Sequence, residues 1–111
     1  METLLNVQDK LFINNKFVDA QDGKTFPIVN PATEEVIAHV AEASEVDVDK
    51  AVKAARKAFD SGPWSKISAR ERGKFLYKLA ELLERDKEEF AWLESINNGK
   101  PISESRNVDL P

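Results

Sequence analysis

The single histidine, His39, and the absence of cysteine bound the chemistry open to this 111-residue chain. A zinc centre of the finger type needs several thiolate or imidazole ligands, and one imidazole cannot supply them. With no thiol, these residues hold no cysteine nucleophile and no disulfide. A histidine acting as general base needs a partner and a cleft; His39, in an alternating segment after Ile37, reads instead as a structural or solvent-facing residue. The strained Gly-x-Ser-x-Gly turn that presents a serine nucleophile is missing, so no Ser-His-acid set can be argued. The four glycines, Gly23, Gly62, Gly73 and Gly99, are too scattered for a dinucleotide fingerprint or a phosphate loop.

Two charged stretches have the composition of a binding site. Glu81 to Glu94 is acid-rich, but its acids alternate with Leu, Arg and Lys, and Glu81/Arg85 and Glu84/Lys87/Glu88 sit at the spacings of helix neighbours. A solvated helix face is expected there, not a metal site. Arg70, Arg72, Lys74 and Lys78 could meet phosphate. The net charge of −4 and the nearby acids argue against a nucleic-acid partner and against a helix-turn-helix reader. Trp64, after Gly62-Pro63, and Trp92 are expected as core or interface anchors.

The elements that must position these groups change character along the chain. Residues 1–43 carry a net charge of −4 and the remainder sums to zero. In the acidic front part, Leu11-Phe12-Ile13 and Lys16-Phe17-Val18 flank Asn14-Asn15, and Asn tolerates positive φ, so a tight hairpin is expected. Asp22-Gly23 marks a second turn. Lys24 to Val29 follows as an edge strand, since Pro27 has no N–H to give a ladder. Asn30-Pro31-Ala32-Thr33 is a turn that Asn30 can close with its own side chain. Glu35 to Ala41 alternates imperfectly as a strand, with Val36, Ala38 and Val40 on one face and Ile37 and His39 on the other.

Behind this, helices are expected at about 45–60, 69–85, 87–97 and 101–107. Ser44 with Asp47 and Ser68 with Glu71 form N-terminal capping pairs, and Asp86 with Glu89 forms a third. Val48, Val52, Ala55 and Phe59 make one apolar stripe on the first helix. Phe75, Leu76, Leu79, Leu82 and Leu83 make a wider face on the second, where Gly73 reflects close packing or a tolerated cost. Phe90, Leu93, Ile96 and Trp92 face inward on the third. Gly62-Pro63 and Asn98-Gly99 are stop signals, and Pro101 suits the first turn of the last helix. The fold class is therefore α+β: antiparallel hairpins at about 11–41, then three to four helices, in a single partial domain over 1–111. No apolar run approaches the ~20 residues of a membrane span. Met1-Glu2-Thr3-Leu4-Leu5-Asn6 lacks a secretory pattern, so a cytoplasmic location is expected.

Several segments, in order, resemble the start of NAD(P)-dependent aldehyde dehydrogenases. They are Leu11-Phe12-Ile13-Asn14-Asn15-Lys16-Phe17-Val18-Asp19, Lys24-Thr25-Phe26 and Val29-Asn30-Pro31-Ala32-Thr33-Glu34-Glu35-Val36-Ile37. Asp47 through Phe59, Pro63-Trp64, Arg72-Gly73, Leu79 through Arg85 and Asn98-Gly99-Lys100-Pro101 continue the likeness. The resemblance implies an incomplete piece of a larger α/β enzyme, cut short at Pro111. In the family a cysteine thiolate attacks the aldehyde, hydride leaves to NAD or NADP, and water activated by a glutamate releases the acid. The Rossmann-type cofactor cleft, that cysteine and that glutamate all lie beyond this segment. No catalytic, cofactor-binding or metal residue is therefore expected here, no NAD or NADP is expected to bind this chain, and the chain alone is expected to be inactive. Some members hold a monovalent cation through backbone carbonyls matching Ile28 and Val29 and an acid matching Asn97; with Asn in the acid's place, no bound ion is expected. The expected partners are the remainder of an aldehyde dehydrogenase or its subunits. The alternative is a free-standing interaction module that binds such subunits without catalysis.

Overall fold

The structure, a computed structural model, describes residues 7–111. The secretory-pattern reading of residues 1–6 lies outside the described residues. The chain forms two compact units. One holds the described residues up to Ile28 together with Ala38–Ile67; the other holds Val29–Ile37 together with Ser68–Pro111.

In the first unit, β1 (Leu11–Ile13) and β2 (Lys16–Val18) pair antiparallel, with Leu11 opposite Val18 and Phe12 opposite Phe17. Asn14 and Asn15 take φ of 52° and 64°, the left-handed geometry a two-residue turn requires. The Phe12 and Phe17 rings meet at 4.9 Å on the exposed face, while Leu11, Ile13 and Val18 are half-buried on the other. The turn at Gly23 closes with its N–H donating to the Ala20 carbonyl at 2.9 Å.

A second two-stranded sheet joins β3 (Thr25–Val29) to β4 (Val36–Ala41). Pro27 is tolerated because both strands of such a sheet are edges. As expected, Asn30 Oδ1 accepts the Ala32 N–H, at 2.9 Å. The turn also needs Glu34 at φ 64°, with its N–H donating to the Asn30 carbonyl at 2.8 Å. Glutamate carries no left-handed signal, so that detail was not readable. Ile37 is buried and Val36 exposed at this end of β4, while Ala38 and Val40 are half-buried and His39 is exposed, so burial follows neither alternating face cleanly.

Helix α1 (Glu45–Ser61) starts at the Ser44 capping box and stops at Gly62, whose N–H donates to the Ala58 carbonyl at 2.9 Å. A Cβ on Gly62 would lie 2.3 Å from the Ala58 oxygen, so close approach and not positive φ demands glycine there. A 3₁₀ turn at Pro63–Lys66 follows. The apolar stripe of α1 is real but uncovered: Val48, Val52, Ala55 and Phe59 are exposed, and Ala51 and Ala54 are the half-buried residues.

In the second unit, α2 (Ala69–Arg85) begins with the expected box, Ser68 Oγ accepting the Glu71 N–H at 3.2 Å. Its apolar face is also exposed, Phe75 and Leu76 each by 61%. Open space surrounds the missing Cβ of Gly73, so close packing is not its reason. Helix α3 (Lys87–Asn98) follows Asp86, but Asp86 makes no side-chain cap. Its carboxylate takes the Arg85 guanidinium instead, at 2.8 and 2.7 Å, because a charge-assisted bidentate pair outcompetes a single N–H. Ala91 is fully buried on α3, Trp92, Leu93 and Ile96 are half-buried, and Phe90 is exposed, against expectation. Gly99 caps α3 at φ 84°. The last segment is a short α4 (Ile102–Glu104) running into a π-helical turn at Ser105–Asp109. It starts after Pro101, which precedes the helix at ψ 143°, and it runs two residues past the expected 107 because the Leu110 N–H reaches back to the Ser105 carbonyl at 3.0 Å.

The buried apolar residues among those described are Ala20, Ile37 and Ala91. No helix among the described residues is long and apolar enough to cross a membrane.

Candidate functional site

The most tightly bonded polar group is Asp47, 3% exposed at the start of α1. Its carboxylate accepts the Ser44 N–H at 2.8 Å and the Ser44 hydroxyl at 2.9 Å, and both oxygens share the Gln21 N–H at 3.0 and 3.1 Å. The Ser44 backbone bond, chiefly, holds this carboxyl below its ordinary value; burial opposes it, and the Gln21 N–H and Ser44 hydroxyl add to the lowering. Lys50 Nζ reaches the Gln21 side-chain oxygen at 2.8 Å and closes the same joint. An ionised, fully bonded carboxylate is a poor base, so this cluster fastens the turn at 20–23 to the helix and does no chemistry. The capping role was readable from Ser44-x-x-Asp47; the bond to Gln21, 26 residues away, left no local signal.

Farther along α1, Lys50, Lys53 and Lys57 line an open depression of about 630 Å³ with Ile13, Asn14, Ala54, Ala58 and Pro63. Lys53 pairs with Asp49 at 2.8 Å, which raises its pKa. Ser61 also lines it, its hydroxyl donating to the Lys57 carbonyl at 3.0 Å, and no histidine or carboxylate stands in the lining to act as a base.

In the second unit, the Arg106 guanidinium forks onto Glu88 with contacts of 2.9, 3.2 and 2.9 Å, holding that carboxyl below its ordinary value. Ser95 Oγ donates to the buried Ser105 Oγ at 2.9 Å, and Lys100 pairs with Asp109. These contacts tie the chain's last turns to α3. The acid-rich stretch behaves as a salt-linked surface, though with partners other than those its spacing suggested: Glu81 lies 3.7 Å from Lys78, Arg85 bonds Asp86 and Glu88 bonds Arg106. The structure gathers no three His, Asp or Glu side chains able to hold a metal ion among the described residues.

His39 is exposed on β4. Arg70, Lys74 and Lys78 are exposed along α2, with Arg72 half-buried among them. Trp64 is exposed, and Trp92 is half-buried on α3. Of the residues matched to a cation site, Val29 ends β3 and Asn97 lies in the last turn of α3, both exposed, while Ile28 is half-buried.

Known proteins resemble this chain along nearly its whole length. The profile of the aldehyde dehydrogenase family matches residues 17–111. Aldehyde dehydrogenase 1A1 of Mesocricetus auratus is 56% identical over 102 residues, covering 91% of this chain and 20% of that protein. Aldehyde dehydrogenase of Alternaria alternata is 57% identical over 101 residues, again 91% and 20%. The NAD+ complex of aldehyde dehydrogenase from Bacillus cereus superimposes with a TM-score of 0.92 at 52% identity, covering 98% of this chain and 22% of that one. Betaine aldehyde dehydrogenase from Staphylococcus aureus in complex with NAD+ does so at 0.92 and 35% identity, covering 95% and 21%. The chain spans about a fifth of the length of these relatives, from their N-terminal part. It belongs to the aldehyde dehydrogenase family.

Proposed function

We propose that this chain works as the N-terminal segment of an NAD- or NADP-dependent aldehyde dehydrogenase, whose reaction oxidises an aldehyde to a carboxylic acid. The 111 residues alone turn over no aldehyde and bind no nicotinamide cofactor. One observation carries the reading: the likeness runs through nearly the whole chain, yet these residues include no cysteine to serve as the family's nucleophile. We place this work in the cytoplasm, a reducing compartment with which a cysteine-free chain is compatible.

The segment's contribution is then structural. Val48, Val52 and Phe59 on α1, and Phe75, Leu76 and Leu79 on α2, are exposed apolar side chains in continuous stripes. Fully burying one such side chain is worth about 1.5–3 kcal/mol, and contiguous exposed stripes of this kind mark interaction surfaces. The remainder of a dehydrogenase, or its subunits, is the partner that covers them.

The test is co-expression with the Bacillus cereus aldehyde dehydrogenase lacking its matching N-terminal segment. This reading expects a soluble complex that Val52→Asp and Leu79→Asp each weaken. Capture by the intact relative, and not by the truncated one, would replace it with a free-standing module that binds dehydrogenase subunits. Capture by neither would overturn both.

A further inference from the structure

We propose that Asn98–Gly99 is a site of spontaneous modification, where Asn98 deamidates at a rate set by opening of the α3 C-cap. The chemistry needs no enzyme. The Gly99 backbone nitrogen loses its proton and attacks Asn98 Cγ; a C–N bond forms, and the side-chain nitrogen leaves as ammonia. Water opens the resulting five-membered succinimide at either carbonyl, giving aspartate or isoaspartate. The balance is amide plus water to acid plus ammonia, with no change of oxidation state.

Asn98 is the asparagine of this chain that precedes glycine. The others that precede an N–H face a side chain on the next residue that crowds the attack, and Pro31 after Asn30 has no N–H to deprotonate. The fold itself demands glycine at 99. Its φ is 84°, and a Cβ there would lie 3.1 Å from Pro31 Cγ and 3.2 Å from Pro31 Cβ. The requirement that stops the helix therefore also creates the reactive dipeptide.

The same cap protects it. The Gly99 N–H donates to the Ser95 carbonyl at 2.8 Å, and residue 98 is the last of α3. Ring closure requires that hydrogen bond to break and the ψ of residue 98 to leave the helical range near −42°. Asn98 is exposed, so water is at hand. Last helical turns open at lower free energy than the body of a domain, so the rate reports local opening. The product holds the cap open. Isoaspartate adds a methylene to the backbone beside Pro31, and the new carboxylate sits at the negative end of the helix dipole.

The experiment incubates the 111-residue chain at mildly alkaline pH across a urea series. Acid at position 98 is quantified by peptide mass spectrometry, and Gly99 amide exchange is followed in parallel. The expected result is acid at position 98 in the denatured chain, formed at least about tenfold more slowly without urea, with the slowing matched to Gly99 protection. Asn98→Gln, which would need a larger ring, abolishes the product. Absence of product in the denatured chain, equal rates with and without urea, or rates that ignore Gly99 protection would each overturn the proposal.

Discussion

Replacing Gly99 with alanine probes how tightly the α3 cap is built. Two costs follow from the geometry. An L-residue at φ 84° adopts the left-handed region, a penalty of about 1–2 kcal/mol. The added Cβ would also meet Pro31 at 3.1 and 3.2 Å, inside the ~3.5–4.0 Å of a comfortable carbon contact. Pro31 cannot swing aside easily. Its φ is locked by the ring, and Asn30 Oδ1 pins the turn by accepting the Ala32 N–H at 2.9 Å. Forcing a few tenths of an ångström of retreat adds about 1 kcal/mol, for a total near 2–3 kcal/mol. At roughly 4–8 °C per kcal/mol for a small domain, the melting temperature falls by about 10–20 °C. Thermal and urea unfolding of the 111-residue chain, followed by tryptophan fluorescence, measure it, with Trp92 on α3 as the nearby reporter. Gly99→Asn separates the costs, because asparagine tolerates the left-handed region and keeps only the Pro31 contact; about half the loss remains. An alanine variant within about 0.5 kcal/mol of the parent would refute both the torsional and the contact argument.

Three further outcomes follow from the joints. Ser44→Ala removes the hydroxyl that caps α1 and lowers stability by about 1 kcal/mol in urea titrations; no loss would mean the Asp47 bonds alone hold the helix start. The Asp47 carboxyl is held low in the folded chain, so its contribution is complete above the unfolded-state pKa of about 3.9 and disappears as pH falls through the lower folded-state value. Asp47→Asn flattens that acid limb in a plot of urea midpoint against pH, and an unchanged limb contradicts the assignment. Gly73→Ala, in a helix interior with open space around the new methyl, gains about 1 kcal/mol; a destabilised variant would mean that another group packs over residue 73.

What was legible in the sequence was local. Asn14-Asn15, Ser44-x-x-Asp47, Ser68-x-x-Glu71 and Asn98-Gly99 each state a backbone geometry within four residues, and each is formed as read. Asp86 failed because two acceptor roles compete for one carboxylate, and the adjacent Arg85 wins. The Gln21–Asp47 and Glu88–Arg106 bonds were not readable, since a partner 26 or 18 residues away is chosen by the fold and not by spacing. The stripes on α1 and α2 were readable as stripes; periodicity says which side chains share a face and nothing about what covers it. The scarcity of reactive groups was readable outright, because one histidine and no cysteine leave little to arrange.

The most direct test of the central claim is turnover by the purified 111-residue chain given NAD and acetaldehyde, with NADH followed by absorbance. The account expects none above the buffer blank at any chain concentration. Saturable NADH production that scales with the chain and survives repurification would contradict it.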